Sequence, residues 1–264
     1  MNADCTSIRS YPFISARREE EGLRSRLRRG GDTMKRSQIN HIIEEAIAFT
    51  EGRGICYPDF ATWTMEKWGH LKENQREIVD NMLGWDITDF GSGDFENVGL
   101  LIFTFRNGNF HRKEEYPKPY AEKLLLVGDG QELPFHFHWS KMEDIINRGG
   151  GNLIVQLYNS DEEEGFASTP VEVSMDGETV TVEAGGVVKL LPGQSITLKP
   201  KQYHRWIGEK GTGPVILFEV SSTNDDTVDN RFYSAQERLP DIEEDEEPAY
   251  LLFKDYERYA VFGD

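Results

Sequence analysis

Two periods of apolar spacing divide the chain. Ile39, Ile42, Ile43, Ala46 and Ile47 recur every three or four positions, which predicts a helix capped by Ser37 and ending near Gly52. Helical spacing continues to Leu83, with a second helix opened by Pro58-Asp59 and carrying Trp63 and Trp68. Asn74 opens a third, carrying Ile78, Val79, Met82 and Leu83. From Gly99 onward the period shortens to two. Leu100 to Phe105, Lys123 to Val127, a run through His136 and His138, Leu153 to Tyr158, Val171 to Met175, Thr179 to Glu183, Val187 to Leu191, Ser195 to Lys199 and Val215 to Val220 are short, alternating or β-branched, and parted by turn residues. Asp176-Gly177 between two of them predicts a tight hairpin. The series predicts an antiparallel sandwich or jelly roll. Helices occupy about 34–84, the strands about 99–220, and a carboxyl-terminal segment follows.

Composition narrows this picture. A chain of 264 residues with 38% hydrophobic positions can bury a substantial core, and its formal net charge of −18 repels nucleic acid and anionic membrane alike. No apolar run approaches a membrane span. Cys5 and Cys56 allow at most one bridge, so a reducing compartment, the cytoplasm, is expected. Residues 1–33 carry a charge of +2 against −20 for the remainder and lack apolar periodicity. They are expected to be a disordered extension, with Met34 as the true start of a single domain over 34–264. Near the other end, Asp241 to Glu247 holds six acids, a composition expected of a solvated loop, and apolar Ala249 to Phe253 is expected to dock on the barrel.

The chemistry concentrates in GQELPFHFHWSKMEDIINRG, Gly130 to Gly149. His136 and His138 leave the same face of one strand roughly 6.5 to 7 Å apart, and imidazoles tilting together from there can reach one ion at about 2.0 to 2.1 Å. Glu143 follows at a distance that lets the chain turn and bring a carboxylate to the same ion. A fourth ligand is expected from His204, at the end of the strand-like Ser195 to Lys199. His41 and His70 are expected to be ordinary surface or core residues.

The spacing glycine, five residues, His-x-His, four residues, Glu and a further glycine resembles the first motif of the cupin superfamily. Gly185 or Gly186, Pro200 and His204 resemble its second motif, with Gln202 standing where a glycine is usual. The resemblance implies an all-β cupin jelly-roll barrel with an amino-terminal helical addition. Sugar isomerisation, metal-dependent oxygen chemistry and non-catalytic sugar binding all fit such a site. FHFHWSKMEDIINRGGG, LLPGQSITLKPKQYHRW and EVSSTNDDTVDNRF further resemble bacterial D-lyxose isomerases over nearly all of the chain from Met34. That likeness implies a ketol-isomerase interconverting D-lyxose with D-xylulose and D-mannose with D-fructose, with manganese as the usual metal. A set of three nitrogens and one oxygen also accommodates zinc, cobalt, iron or nickel.

Moving a carbonyl from C1 to C2 needs an electrophile on the sugar oxygens and a base that shuttles one proton. Glu143 on a metal has its basicity spent, so the base is a separate group. The resemblance points to an acid in the polar segment after Val220, for which Glu237 is the choice and Asp226 the second. Lys123, just ahead of the ligand strand, is expected to polarise O1 or assist ring opening. The partner is a small-molecule sugar, and a sandwich with an added helical face is expected to form a homodimer.

Overall fold

The first described residues already form structure. The computed structural model describes residues 33–234 and 241–263, so nearly all of the expected extension lies outside them. Met34 and Lys35 make strand β1, and α1 (Arg36–Glu51) follows and stops at Gly52. Ile39, Ile43 and Ala46 form its buried stripe with Ile42 and Ile47 alongside, as the spacing predicts. The second and third helices are shorter than expected. They break into a 3₁₀ turn at Asp59–Thr62, α2 (Met65–Trp68), another at Glu73–Gln75, and α3 (Arg76–Asp80). Thr64 accepts the Lys67 N–H and so starts a new helix where the old one would have run on. Trp68 lies 5.2 Å from Trp63 and 4.8 Å from Tyr256, in a packed cluster rather than at a ligand. His41 and His70 are exposed.

The strands are β2 (Gly84–Thr88), β3 (Leu100–Arg106), β4 (Tyr120–Val127), β5 (Glu132–Phe137), β6 (Glu143–Gly150), β7 (Leu153–Asn159), β8 (Val171–Met175), β9 (Glu178–Val182), β10 (Val187–Leu190), β11 (Ser195–Leu198), β12 (Gln202–Gly208), β13 (Val215–Ser222), β14 (Arg231–Phe232) and β15 (Ile242–Glu243). One sheet runs β10-β7-β12-β5-β14 and the other β2-β3-β4-β13-β6-β11-β8-β9, each antiparallel throughout. They face each other across one core, to which Leu133, Val155 and Trp206 come from the first and Ile102, Leu125, Ile145 and Leu217 from the second. This is the jelly-roll sandwich that the motif implied. The ladders among the described residues do not close it into a continuous barrel.

The larger sheet is covered on its other side as well. Along β3 and β4, Leu101, Phe103 and Leu124 turn outward to meet Ile39 and Ile43 of α1 while their neighbours turn inward. Burial on both faces explains the near-continuous apolar runs of these strands. Strands β2, β6 and β12 were not anticipated. β2 is buried at every position and so shows no alternation, and β6 and β12 carry polar residues that turn out to face the core. Asp176 and Gly177 both take positive φ, 51° and 90°, at the expected β8–β9 hairpin. Gly150 sits where a Cβ would come within 2.1 Å of the Pro214 carbonyl, beside a register shift between β6 and β13.

The acids of the run are exposed, as expected of a solvated loop, but the run is tied to the start of α1. β15, inside it, pairs parallel with β1, and the residues after it bind the start of α1. Ser37 does not cap the helix: its N–H donates to Asp245 Oδ1 at 2.9 Å and its hydroxyl to Asp245 Oδ2 at 2.7 Å. The buried Arg36 guanidinium makes two bonds of 2.8 Å to Glu244 and two of 2.9 Å to Asp255. Asn40 donates to Glu246 and accepts from the Ala249 N–H. Acids here complement both the guanidinium and the positive end of the helix dipole. Among the described residues no helix is long and apolar enough to cross a membrane.

Candidate active site

Strands β5 and β12 are neighbours, and their register sets His136 directly opposite His204. His204 therefore belongs to its own strand rather than to the end of the Ser195–Leu198 run. The turn that leads into it is made by Lys201 at φ 63°, so the left-handed position is one residue before the cupin glycine. Gln202, in that glycine's place, accepts from the Lys199 N–H and donates to the Glu172 carbonyl, at 3.0 Å each. The ligating atoms of His136, His138 and His204 lie within 4.8 Å of one another, and all three rings are buried.

The tautomers follow from what the rings touch. Nδ1 of His136 faces the Pro134 carbonyl at 3.0 Å, that of His138 the Asp229 carbonyl at 2.9 Å, and that of His204 the Gln202 carbonyl at 3.0 Å. A carbonyl can only accept, so each Nδ1 holds the proton and each Nε2 presents a lone pair. Burial keeps two of the rings neutral: it depresses His136 well below the ordinary imidazole value, and His204 to about 4. Yet Nε2 of His136 and Nε2 of His204 are 3.0 Å apart. Two lone pairs at hydrogen-bond distance with no proton between them repel unless a cation is shared. Glu143 Oε1 adds a further acceptor, 3.3 Å from His204 Nε2 and 3.5 Å from His138 Nε2. Neither Glu143 Oε1 nor His138 Nε2 has a hydrogen-bond partner. Three nitrogens and a carboxylate oxygen without a donor are the donor set of a divalent cation, and the residues fit that group.

An alternating row of charge leads away from the histidines. Lys141 Nζ lies 2.7 Å from Glu143 Oε2 and 3.1 Å from Glu219 Oε1; Lys123 Nζ lies 3.4 Å from Glu219 Oε1 and 2.6 Å from Asp226 Oδ2. Burial alone would discharge both partners of the first pair. The contact instead holds Glu143 well below the usual carboxylate range, and Glu143, Glu219 and Asp226 together hold Lys141 above the ordinary lysine value. Lys123 is buried, and it donates to Asp226. Glu237 lies outside the described residues.

Lys141 and Glu219 were not singled out from the sequence. Glu219 could have been, since it shares the inward face of β13 with Val215 and Leu217 at two-residue steps, where a charge needs a partner. Its partner Lys123 sits opposite it in register on β4. Lys141 carried a weaker signal, two residues before Glu143 in a loop. Asp229 holds that loop: its carboxylate accepts the N–H of Ser140 and of Lys141 at 2.9 Å, and its carbonyl holds the His138 ring. The polar segment after β13 thus crosses the site, and its β14 pairs with β5 so that Phe232 opposes His136. The space lined in part by His136, His138, Lys141, Glu143, Glu219 and Asp226 is about 40 Å³.

The chain is similar to known proteins along most of its length. The family model for D-lyxose isomerase matches residues 34–256. A D-lyxose/D-mannose isomerase of Serratia proteamaculans is 45% identical over 229 residues, 86% of this chain and all of that protein. The protein of the same description from Escherichia coli O157:H7 is 43% identical, again over 86% of this chain and all of its own length. Among solved structures, the L-ribose isomerase of Acinetobacter sp. DL28 in complex with L-ribose superposes with a TM-score of 0.52 at 16% identity, covering 78% of this chain and 94% of that one. The L-ribose isomerase of Geodermatophilus obscurus gives 0.53 at 19% identity, covering 80% and 99%. At such identities these two likenesses speak to the fold alone.

Proposed function

The chain belongs to the D-lyxose isomerase family, and on that premise we propose that it interconverts D-lyxose with D-xylulose, and D-mannose with D-fructose, by proton transfer through an enediol. His136, His138, His204 and Glu143 hold a divalent cation in this reading. The observation that carries it is the convergence of three Nε2 lone pairs and Glu143 Oε1 with no proton among them. Such a cation, once bound, polarises the oxygens on C1 and C2 of the open-chain sugar.

The protein's own groups do the rest. A carboxylate takes the C2 proton of the aldose and returns it to C1, while the proton of the C2 hydroxyl passes to O1; nothing is consumed. Glu237 is the assigned shuttle, with Asp226 the described alternative on the cavity wall. Lys123, buried and 2.6 Å from Asp226, donates to O1 as charge develops there. Manganese is the metal assigned. Among the described residues Cys56 is free and exposed, which suits the reducing cytoplasm assigned as its location. The exposed Tyr120, Met142 and Val220 supply apolar surface for the homodimer assigned as its assembly.

The test is anaerobic conversion of D-lyxose by metal-stripped protein reloaded with manganese, run in deuterated water. Ketose carrying solvent deuterium at C1, formed to an equilibrium mixture without oxygen, is expected. Glu237→Gln should abolish turnover with the metal retained, and Asp226→Asn should be the less damaged; the reverse order moves the shuttle to Asp226. Failure to convert any pentose or hexose with metal present would end the isomerase reading.

A further inference from the structure

Beyond the histidine pocket, across the Lys123–Asp226 ion pair, lies a second small space of about 30 Å³. Asp86, Thr104, Asn107, Lys123, Asn224 and Asp226 line it, and Asp226 lines both spaces. Two of these residues present buried acceptors that nothing satisfies. Asn107 and Asn224 are 5% and 2% exposed, and neither Oδ1 has a hydrogen-bond partner. Their orientation is fixed by chemistry: Asn107 Nδ2 donates to the Asn224 carbonyl at 2.9 Å, and Asn224 Nδ2 donates to Asp226 Oδ1 at 2.5 Å. Turning either amide over would set an acceptor against an acceptor. An unmet buried acceptor is costly, so this space is built to receive a hydroxyl donor.

The proposed substrates say which hydroxyl. D-lyxose and D-mannose have the same configuration at C2, C3 and C4, and the hexose adds one hydroxyl-bearing carbon at the far end. A site that takes both while holding C1 and C2 beside the histidines needs room and acceptors beyond C4. We infer that the space bounded by Thr104, Asn107 and Asn224 is the subsite for the sugar tail, where the two hydroxyls of the hexose beyond C4 each donate to one asparagine oxygen. This inference rests on the isomerase reading.

Thr104→Leu, which fills the space from β3 without touching the histidines, tests it. Expected is a kcat/KM for D-mannose that falls at least about tenfold further than that for D-lyxose, the discrimination a single carbon in a pocket commands, with metal content and melting temperature kept. Thr104→Val keeps the volume and removes the hydroxyl, and serves if the leucine variant does not fold; it should raise KM for D-mannose several-fold more than KM for D-lyxose. Equal losses for the two sugars, or no loss, mean that the space holds only water and overturn the subsite. Wild-type protein inactive on both sugars overturns the isomerase reading itself, a result readily told apart from the first.

Discussion

Asp229 touches no proposed metal-binding atom, yet it fixes His138 through its carbonyl and two loop amides through its carboxylate. Partners of this kind typically govern metal affinity by about 10 to 100-fold. Asp229→Ala keeps the carbonyl on His138 but releases the loop that its carboxylate holds, and is expected to weaken metal binding by up to that order in calorimetry while all four ligands remain; unchanged affinity would make the carboxylate contacts incidental. His204→Ala removes a proposed ligand outright and should lower metal content and turnover together, measured on the same preparation. These two residues also show what could be read in advance. His204 was legible as a candidate ligand because a histidine after a turn has few other uses beside a His-x-His pair, whereas its strand was hidden by Gln202 and Arg205. Asp229 was one acid in a polar stretch, since a carboxylate that accepts amides 88 and 89 positions away leaves no local mark.

Helix α1 owes its place to two different interactions. Its apolar stripe was plain in the sequence and lies against β3 and β4 as the spacing requires. Its anchor was not, because a run of six acids has the same composition whether it is solvated or bound, and only the fold brings Arg36 to it. Arg36→Ala leaves Asp255 and Glu244 facing each other without the guanidinium. Breaking a buried pair by removing one partner is expected to cost about 3 to 5 kcal/mol in a denaturant titration. The pH dependence has a definite sign. Hydrogen bonds from Arg36 hold the Glu244 carboxyl below its ordinary value of 4.5, so its contribution is complete above that value and is lost as the pH falls through the lower folded one. Glu244→Gln should therefore flatten the acid limb of the stability curve below about pH 4.5; an acid limb identical to that of the wild type would remove Glu244 from the anchor. The short helices before β2 were overread for a related reason, since Thr64 and Gly69 end what apolar spacing alone would have continued.

The two sheets meet at the site as well as in the core. His136 and His204 stand on the smaller sheet and Glu143 on the larger, so a cation held by all of them joins the two layers. Metal-free protein is expected to melt at a lower temperature, by the equivalent of about 2.7 kcal/mol at a free metal concentration a hundred times the dissociation constant. Calorimetry before and after chelation checks this, and equal melting temperatures would sink the cross-sheet role. Strand alternation had announced the sandwich in advance, but not which polar residues would face each other inside it, since Lys123 and Glu219 are 96 positions apart and meet only through the β4–β13 register. The tie between Arg36 and its acids has a further meaning for a chain made from its amino end. Residues 208 and 219 positions later must emerge before Glu244 and Asp255 can receive the guanidinium. A chain ending at Glu243 would contain the strands of both sheets and all three histidines but not the acids that fasten the start of α1. Amide exchange at Ser37 to Asn40 would then report whether that fastening has been made.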